Sequence, residues 1–583
     1  MTDNSSKLNR RAFVATSTAG LAMSSQLLPS TSLASEQNTS ATQQQLSPEH
    51  IAAVNRERRV VVNFDTGAAF IPDVLNKVGK QNLVKGYFSM IDDPDVPIDS
   101  VWLCFGEGNC AFWPSELIKV APEYRKLHAA GLDPLRIFLE ASKKRGLECF
   151  FSYRNNGSDN EYGGAQKIPL KEAHPEWLLH APWEGASSNG FWNFSFKEVR
   201  ELKVATLREV ADNYDFDGIE IDFSRGPIHL PIGHQWENRR HLTEYLRAVR
   251  SMTLAAGKRR GRPFLLATRL PGKLAGCHYD GMDVETWVQE QLIDILILGN
   301  RSYEVDLAAF RRLTSGTAIK LYPCLDDHHA SDGYEHPPIE VFRGVFSNWL
   351  HQSADGVQTF NFHLRTPEGT VALGKDKNPP VWKLHQQALC ELADPAQLRY
   401  KDKTFVVQRR GGGHGAVVVP DPANWVTPRH MYYLTNMFSQ LPAPLANDGR
   451  ADTLLWVYVA DDVAKQARRI EQITVRVLLS DEEAKNLPDS QRLEPFSMSS
   501  HDQPGGKRPN IPPAQGIEEQ IELRLNNILL PFPVVKAGWL EFTAQGDQFA
   551  VGKNLVGLRV DGRSAEAQSE ISVELLEVHV KYS

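Results

Sequence analysis

The chain alternates short apolar segments with amphipathic segments eight times, and this alternation constrains its fold more than any other feature. The apolar runs are rich in β-branched and aromatic residues and lie at 60–65, 101–106, 147–153, 218–223, 264–269, 295–299, 319–325 and 356–363. Near-continuous apolar strands separated by helices are typical of parallel strands in βα units. Eight such units in one stretch predict an α/β fold, the (β/α)8 or TIM barrel.

The fourth unit illustrates the pattern. Val199, Leu202, Leu207 and Val210 lie on one side of a predicted helix, and the strand 218–223 follows it. An open, doubly wound sheet is the main alternative for such a pattern. That fold would normally carry a Gly-rich nucleotide loop after the first strand, and the sequence has none there.

After about residue 395 the helical periodicity fades and alternating strands replace it. The clearest strands are 454–459, 473–477, 521–525 and 571–582. Strands of this kind predict an all-β accessory domain, a sandwich or jelly roll, C-terminal to the barrel. In the last strand the apolar alternation changes phase between Leu575 and Leu576, which predicts a β-bulge.

The first residues have the features of an export signal. Arg10 and Arg11 precede a weakly apolar run, and a small-residue site ends at Ala34, as in twin-arginine signals. The run is too short and too rich in Ser and Thr to span a bilayer. A disordered tail with a chance arginine pair is the alternative. We predict a signal at 1–34, a linker at 35–56, a barrel at 57–395 and a β-rich domain at 396–583, in a periplasmic or extracellular protein without a membrane span.

Charge and cysteine content exclude several function classes. The net charge is −7 and no long basic block is present, which argues against nucleic acid as a partner. Six cysteines without a CxxC pair argue against a disulfide scaffold or a zinc ribbon. The Gly-rich segment 409–415 lacks the Lys-Ser/Thr of a phosphate loop, and no cofactor is expected. The sequence does not specify an oligomeric state.

Polar residues follow nearly every predicted strand, at the end where barrel active sites lie, which we call the mouth. Carboxylates, amides, arginines and tyrosines together can bind a polyhydroxylated ligand, so a carbohydrate substrate is expected. Two carboxylates are also what glycosidic cleavage normally needs. The candidate substrate-binding residues are Asp65, Glu107, Tyr153, Arg154, Asn155, Arg225, Arg269, Asn300, Tyr322, His328, Asn361 and His363.

The fourth strand carries the sharpest pattern, with Glu220 and Asp222 two residues apart. The strand period of two turns both side chains to the same face, stepped by roughly 6.5 Å. Two buried like charges cannot both stay ionised cheaply, so one must be paired or protonated. Arg154, Arg225 and Arg269 are candidate partners. We predict Asp222 at the mouth as a catalytic carboxylate and Glu220 one layer deeper; the alternative is a structural ion network.

These residues lie in a stretch that resembles a known family. The stretch reads HPEWLL at 174–179, Asn193-Phe194, Glu198-Val199-Arg200 and DFDGIEIDFSR at 215–225. It resembles the glycosyl hydrolase-like 10 group of bacterial proteins, most strongly over residues 60–370. The resemblance implies a TIM-barrel glycoside hydrolase-like domain in an exported protein that acts on polysaccharide. It does not specify the sugar or the linkage.

Chitinase-like family 18 enzymes carry DGxDxDxE on the corresponding strand, where the final Glu is the acid. Ser224 stands at that position here, so the acid must come from another strand. Asp326 or Asp327 after the seventh strand is the first candidate, and Glu107 is the reserve. Their separation from Asp222 would decide between retention at ~5–5.5 Å and inversion at ~6.5–9.5 Å.

Asp326, Asp327, His328 and His329 together are also a possible metal-binding set. Hydrolytic metal barrels normally show HxH on the first strand, which here reads VNFD at 62–65, so we predict no metal. The leading hypothesis is a glycoside hydrolase with Asp222 as nucleophile or base and Asp326 or Asp327 as acid. The alternative is a non-catalytic glycan-binding protein on a barrel scaffold.

Overall fold

The fold is seen in a computed structural model of the chain. It describes residues 46–65, 70–106, 110–156, 168–179, 190–224, 228–299, 302–327, 332, 334, 336–377, 380–410, 438–446, 449, 451–481, 488, 496–497, 510–511, 513–562 and 570–583. The predicted export signal and the first part of the predicted linker lie outside these residues, and export stays a prediction.

Eight parallel strands close into a barrel, as the alternation predicts. Each strand pairs with the next along the chain, and the eighth pairs with the first. The strands are β1 Val60–Phe64, β2 Ser100–Cys104, β3 Glu148–Arg154, β4 Gly218–Asp222, β5 Leu265–Leu270, β6 Ile295–Leu298, β7 Lys320–Asp326 and β8 Val357–Phe360. Every predicted run overlaps one of them, and the (β/α)8 barrel is confirmed.

Helices connect and surround these strands. They are α1 Pro48–Val54, α2 Ile71–Tyr87, α3 Pro122–Ala129, α4 Pro134–Lys144, α5 Pro169–Ala173, α6 Lys197–Asn213, α7 Arg240–Arg260, α8 Leu274–Tyr279, α9 Val284–Gln289, α10 Leu307–Leu313, α11 Ile339–His351, α12 Pro367–Ala372 and α13 Trp382–Ala393. None of the helices in the described part of the chain is both long and apolar enough to cross a membrane.

Strand alternation divides the barrel side chains between two cores. Val61, Trp102 and Phe150 belong to the cluster that fills the barrel interior, while Phe151 and Ile221 belong to the larger cluster under the helices. Residues two apart on a strand share a face. The inner face of each strand therefore leads upward to the polar residues at the mouth.

The N-terminal end of the barrel is closed by α1, where the sequence predicted the end of a linker. Within the predicted linker 35–56, residues 48–54 are helical, and Ser47 caps the helix by accepting a hydrogen bond from the His50 backbone N–H. Arg58 donates to the Val54 carbonyl and, at 2.6 and 2.7 Å, to the buried carboxylate of Glu148. Tertiary contacts of this kind stabilise a helix that is too short to be stable alone.

The remainder of the chain folds into antiparallel sheets. The strands are β9 Lys403–Val406, β10 Ala443–Leu445, β11 Thr453–Val459, β12 Ile470–Asp481, β13 Phe496–Ser497, β14 Asn510–Ile511, β15 Ile521–Leu525, β16 Ile528–Leu529, β17 Val534–Lys536, β18 Trp539–Ala544, β19 Gly552–Val560 and β20 Ile571–Tyr582. A six-stranded sheet around β20 and β12 and a four-stranded sheet of β11, β19, β15 and β16 share one apolar core. This arrangement confirms the predicted β-sandwich.

The predicted irregularity in the last strand is also present. Against β12, Leu478 pairs with Leu575 but Leu479 pairs with Val573, so one residue of β20, Glu574, is unmatched. The bulge turns Leu575 into the large core that lies under the barrel helices, while Leu576 returns to the sandwich core. A β-bulge changes the face of the residues that follow it.

The sandwich packs directly on the barrel. Residues Gln44–Ser583 form one compact unit, and Leu478, Trp539 and Leu575 of the sandwich share the core of the barrel helices. The predicted boundary at residue 395 falls between α13 and β9.

Candidate active site

Strand β4 turns Glu220 and Asp222 into the barrel. Ile219 and Ile221 pack in the core under the helices, so the alternating Glu220 and Asp222 face the interior, where both are fully buried. The predicted shared orientation of the two carboxylates is present, with Asp222 at the C-terminal end of the strand and Glu220 one layer deeper.

Arg269 compensates the charge of this pair. It lies beside Asp222 in the register of β4 and β5, and its Nη2 donates to Asp222 Oδ2. Its Nε is 4.0 Å from Glu220 Oε1, and its guanidinium stacks on Phe360 at 4.2 Å from the ring centroid. Arg269, one of the three predicted partners, is thus paired with Asp222 and offsets the cost of burying that charge. The Ser224 backbone N–H holds the other oxygen, Asp222 Oδ1, at 2.9 Å.

Glu220 is surrounded by neutral donors. Ser152 Oγ and Asn63 Nδ2 donate to Oε2 at 2.5 and 3.2 Å, and Gln358 Nε2 donates to Oε1 at 3.3 Å. Burial raises the pKa of Glu220 above its ordinary value; the charge of Asp222 adds to this effect, while Arg269 and the hydrogen bonds oppose it. Glu220 therefore belongs to a polar network beneath Asp222 and Arg269.

A second carboxylate, Asp326, ends strand β7 on the inner face. It is fully buried, and Asn361 Nδ2 donates to its Oδ1 at 2.7 Å. Asn361 follows β8 with a φ of 57°, a left-handed conformation that asparagine tolerates better than most residues. Asp326 pairs in register with Phe360, the ring on which Arg269 stacks. Arg269 thus contacts both Asp222 and Phe360, the residue that lies beside Asp326 in the strand register.

The neighbouring Asp327 is directed away from the barrel axis. His385 of α13 and His336 approach its Oδ2, with Nε2 and Nδ1 at 2.5 and 2.6 Å. Burial would raise the pKa of Asp327, but the two histidines outweigh it and lower the pKa to about 2. A carboxyl group that stays ionised in this way is unsuited to be a general acid, so the geometry favours Asp326 over Asp327 for that role.

In the described part of the chain, one set of side chains has potential metal-ligand atoms that all lie within 4.8 Å of one another. It consists of Asp327, His336 and His385. The hydrogen bonding does not fit a metal ion. The His363 backbone N–H donates to His385 Nδ1 at 2.7 Å, which places the imidazole proton on Nε2. A metal-binding histidine normally donates from its second nitrogen. The three residues therefore form an Asp–His hydrogen-bond network.

Asp65 and Arg154 form an ion pair at the mouth. Arg154 ends β3 on the inner face, next to Asp222 in the strand register, and its Nη2 donates to Asp65 Oδ2. The Asp65 side chain keeps 15% of its surface exposed. Arg154 thus forms an ion pair with Asp65, and Arg269 forms one with Asp222.

Two predicted substrate-binding residues lie away from the mouth. Tyr153 alternates with Arg154, so it faces the helices, where Lys203 Nζ donates to its hydroxyl at 3.2 Å. Tyr322 is inside the barrel but near its N-terminal end, where burial raises the pKa of its hydroxyl and the charge of Arg58 opposes this rise. Asn155 lies at the C-terminal end of β3, where its backbone N–H donates to the Asp222 carbonyl at 3.3 Å and its buried side chain accepts a hydrogen bond from Tyr245 at 2.9 Å. Its role in substrate binding stays a prediction.

Four other predicted residues lie outside the described part of the chain, and their roles stay predictions: Glu107, Arg225, Asn300 and His328. His363 is half-buried and acts through its backbone on His385. Sequence reasoning missed His336 and His385, because each is a single histidine with no motif and meets Asp327 only in the folded chain.

Comparison with known proteins adds similarities of fold. No protein-family model and no curated protein matches the chain. Among solved structures, α-L-fucosidase isoenzyme 2 from Paenibacillus thiaminolyticus is 16% identical with a TM-score of 0.39, covering 60% of this chain and 51% of that one. The PgaB (BpsB) glycoside hydrolase domain from Bordetella bronchiseptica is 11% identical with a TM-score of 0.37, covering 55% and 99%. The GH36 α-galactosidase AgaA from Geobacillus stearothermophilus is 11% identical with a TM-score of 0.32, covering 91% and 56%.

The chain spans about half the length of that fucosidase, at 51%. All three names are those of glycosidases or glycoside hydrolases. At these identities the activity of the chain has to be argued from its own residues.

Proposed function

We propose that the chain is a glycoside hydrolase that cleaves a poly- or oligosaccharide with two carboxylates, Asp222 and Asp326. The observation that carries the proposal is their position, because each ends a barrel strand on its inner face and each is held in place by a neighbour. Hydrolysis of a glycosidic bond needs an acid and a second carboxylate that acts as nucleophile or base. The resemblance of residues 174–225 to a glycoside hydrolase-like group supports the same substrate class.

The neighbours of the two carboxylates support different roles. Asp222 forms an ion pair with Arg269, and a carboxylate paired with an arginine is favoured in its ionised form, as a nucleophile or base must be. Asp326 accepts a hydrogen bond from the Asn361 amide, and its neighbour Asp327 is kept ionised by two histidines, which leaves Asp326 as the candidate for the protonated group. Asp326 is accordingly the acid of the proposed mechanism.

The test is release of reducing sugar from a panel of polysaccharides by the purified full chain, with variants Asp222→Asn and Asp326→Asn. Asp222→Asn should lose turnover on every substrate. Asp326→Asn should lose turnover on polysaccharide but keep part of it on aryl glycosides whose leaving group needs no protonation. A Glu148→Gln variant is the matched control, since it also disrupts a buried carboxylate–arginine pair, at the opposite end of the barrel.

Two results would contradict the proposal. Turnover by Asp222→Asn at the wild-type rate would exclude Asp222 from the reaction. Binding of a polysaccharide without turnover by the wild-type chain would favour the alternative, a glycan-binding protein on a barrel scaffold. An equal loss of turnover in Asp222→Asn and Glu148→Gln would show that a loss of stability, and not of a catalytic group, causes it.

A further inference from the structure

A cleft of about 330 Å³ lies where the barrel meets the sandwich. Its lining comes from the segments that follow β5 and β6, from helix α11 and the residue after it, Gln352, and from strand β11 with its neighbour β19. Val406 of β9 and Gln440 complete the lining. The lining residues that matter here are Lys273, Glu304, Gln352, Trp456, Tyr458 and Lys553. The carboxylates of the barrel interior are not among the residues that line it.

One wall of the cleft is an aromatic surface on β11. Along this strand Leu455, Val457 and Val459 are buried in the sandwich, so Trp456 and Tyr458 point outward. Trp456 keeps 49% of its surface exposed. An indole ring that is half exposed and faces a cleft is available for stacking on a flat apolar surface.

The backbone that carries this ring belongs to a strand at the edge of its sheet. Among the described strands, β11 pairs with β19 alone in the four-stranded sheet, and the Gln440 side chain covers its other edge. Gln440 Oε1 accepts from the Trp456 N–H at 2.7 Å and its Nε2 donates to the Trp456 carbonyl at 2.8 Å. The backbone that carries the ring is therefore already ordered, and little backbone entropy is lost there when a ligand binds.

The charged side chains of the lining balance one another, and Val305, Val345 and Val406 add an apolar part. Lys273 Nζ donates to the Phe438 carbonyl at 3.0 Å and lies 3.5 Å from Glu304 Oε2, which leaves hydrogen-bonding capacity on the ammonium group. Lys553 pairs with Tyr458 in the strand register and is exposed. Two lysines and the carboxylates of Glu304 and Asp306 give the described lining no net charge.

This combination selects one class of ligand. A nucleic acid or a phosphorylated ligand would need a positive lining. A lipid chain would leave the four charged side chains of the lining without hydrogen-bonding partners on the ligand. A pyranose ring has an apolar face that packs on an aromatic ring and hydroxyl groups that both donate and accept hydrogen bonds. The volume lies at the lower end of the range of ligand pockets, ~300–1,000 Å³, which fits a short oligosaccharide.

We propose that this cleft is a second carbohydrate-binding site, in which a neutral sugar ring stacks on Trp456 and its hydroxyl groups bond to Lys273, Glu304 and Lys553. The choice of a sugar as ligand rests in part on the proposed function. The site itself does not depend on Asp222 or Asp326. It would hold a polysaccharide chain on the protein while the barrel acts on it.

Binding is measured on the full chain carrying Asp222→Asn, so that no probe is consumed. The probes are neutral hexasaccharides of the cello-, xylo-, malto- and chito-series, followed by titration calorimetry and by quenching of tryptophan fluorescence. At least one series should bind, and Trp456→Ala in the same background should weaken that binding by about tenfold or more. Trp456→Phe, which keeps an aromatic ring, should recover part of the affinity.

Leu454→Ala is the matched control. Leu454 lies on the same outward face of β11 and is 58% exposed, but it does not line the cleft, so its removal should leave binding unchanged. Failure of every hexasaccharide to bind, equal binding by Trp456→Ala, or an equal loss in Leu454→Ala would overturn the proposal. Binding that depends on Trp456 in a chain whose wild type hydrolyses nothing would support the cleft and contradict the proposed hydrolase.

Discussion

Residues of one chemical type have different roles in this barrel because their neighbours differ. Asp222 is paired with an arginine, Asp326 accepts from an amide, and Asp327 is enclosed by two histidines. Glu220 is held by three neutral donors, and its burial is compensated less fully than that of Asp222. The environment, more than the residue type, decides which carboxylate can exchange a proton.

Glu220 provides a test of this view through the pH dependence of stability. Its pKa is raised in the folded chain, so its favourable contribution is complete below the unfolded pKa, near ~4.3, and is lost as the pH rises through the folded pKa. Glu220→Gln cannot ionise, so the variant should gain stability relative to the wild type as the pH rises from about 4 to 7. Urea unfolding at several pH values measures this difference.

The loss of hydrogen bonds on replacing a carboxylate by an amide is a constant offset in that experiment. The prediction therefore concerns the slope of the stability difference with pH. If the difference in free energy of unfolding does not change with pH across this range, or favours the wild type more as the pH rises, ionisation of Glu220 does not destabilise the folded chain.

Strand alternation predicts the orientation of a side chain better than its depth or its partner. It places Glu220 and Asp222 on one face, and by the same rule Tyr153 must face away from Arg154, although both follow the third strand in the sequence. Tyr322 shares the inner face of β7 with Asp326 but lies four residues earlier, well below the mouth. The contacts of Asp327 with His336 and His385 join distant segments, and no local pattern predicts them.

At the scale of elements, the sequence predicts the strands well and the short helix α1 poorly. A strand buried on both faces has a continuous apolar pattern, whereas α1 has seven residues, of which His50 and Val54 are buried. Its stability comes from contacts made in the folded state. His50 Nε2 lies 2.9 Å from Asp294, and Arg58 donates to the carbonyls of Ala53 and Val54.

Arg58 and Arg59 allow these contacts to be measured with adjacent residues. Arg58 is fully buried and paired with Glu148, so Arg58→Ala would leave this buried carboxylate with only the half-exposed Arg56, at 3.8 Å, as a described cationic neighbour. The free energy of unfolding should fall by ~3–5 kcal/mol. Arg59 pairs with Asp99 with 43% of its side chain exposed, and Arg59→Ala should cost at most ~1 kcal/mol. Urea unfolding at neutral pH compares the two variants.

Arg58 lies at the end of the barrel opposite the proposed site, so turnover per folded molecule should be unchanged in Arg58→Ala. A loss of stability no greater than that of Arg59→Ala would mean that the Arg58–Glu148 pair does not hold α1 to the barrel.

At the scale of the whole molecule, the barrel and the sandwich form a continuous packed structure. Leu478, Trp539 and Leu575 belong to the sandwich strands but pack in the core of the barrel helices. The bulge at Glu574 makes this possible, because it turns Leu575 toward the barrel. The sequence predicted two domains and the bulge, but not their shared core, since neither pattern records which surfaces meet. The cleft beside Trp456 is formed by this junction.

Gly344 on α11 tests how closely the two parts are joined. A Cβ atom at this position would lie 2.1 Å from the Thr404 carbonyl oxygen of β9, so Gly344→Ala must push the barrel helix and the sandwich strand apart. A backbone carbonyl cannot move aside as a side chain can, so we expect the free energy of unfolding to fall by ~1–3 kcal/mol.

Hydrogen exchange measures this separation. Exchange should become faster in β9 and α11 of Gly344→Ala. Ser347→Ala on the same helix, a change of similar size without this contact, should leave exchange in both elements unchanged. Because α11 and β11 line the cleft, Gly344→Ala should also weaken oligosaccharide binding there. Normal exchange in β9 together with wild-type stability would show that the helix and the strand are free to separate.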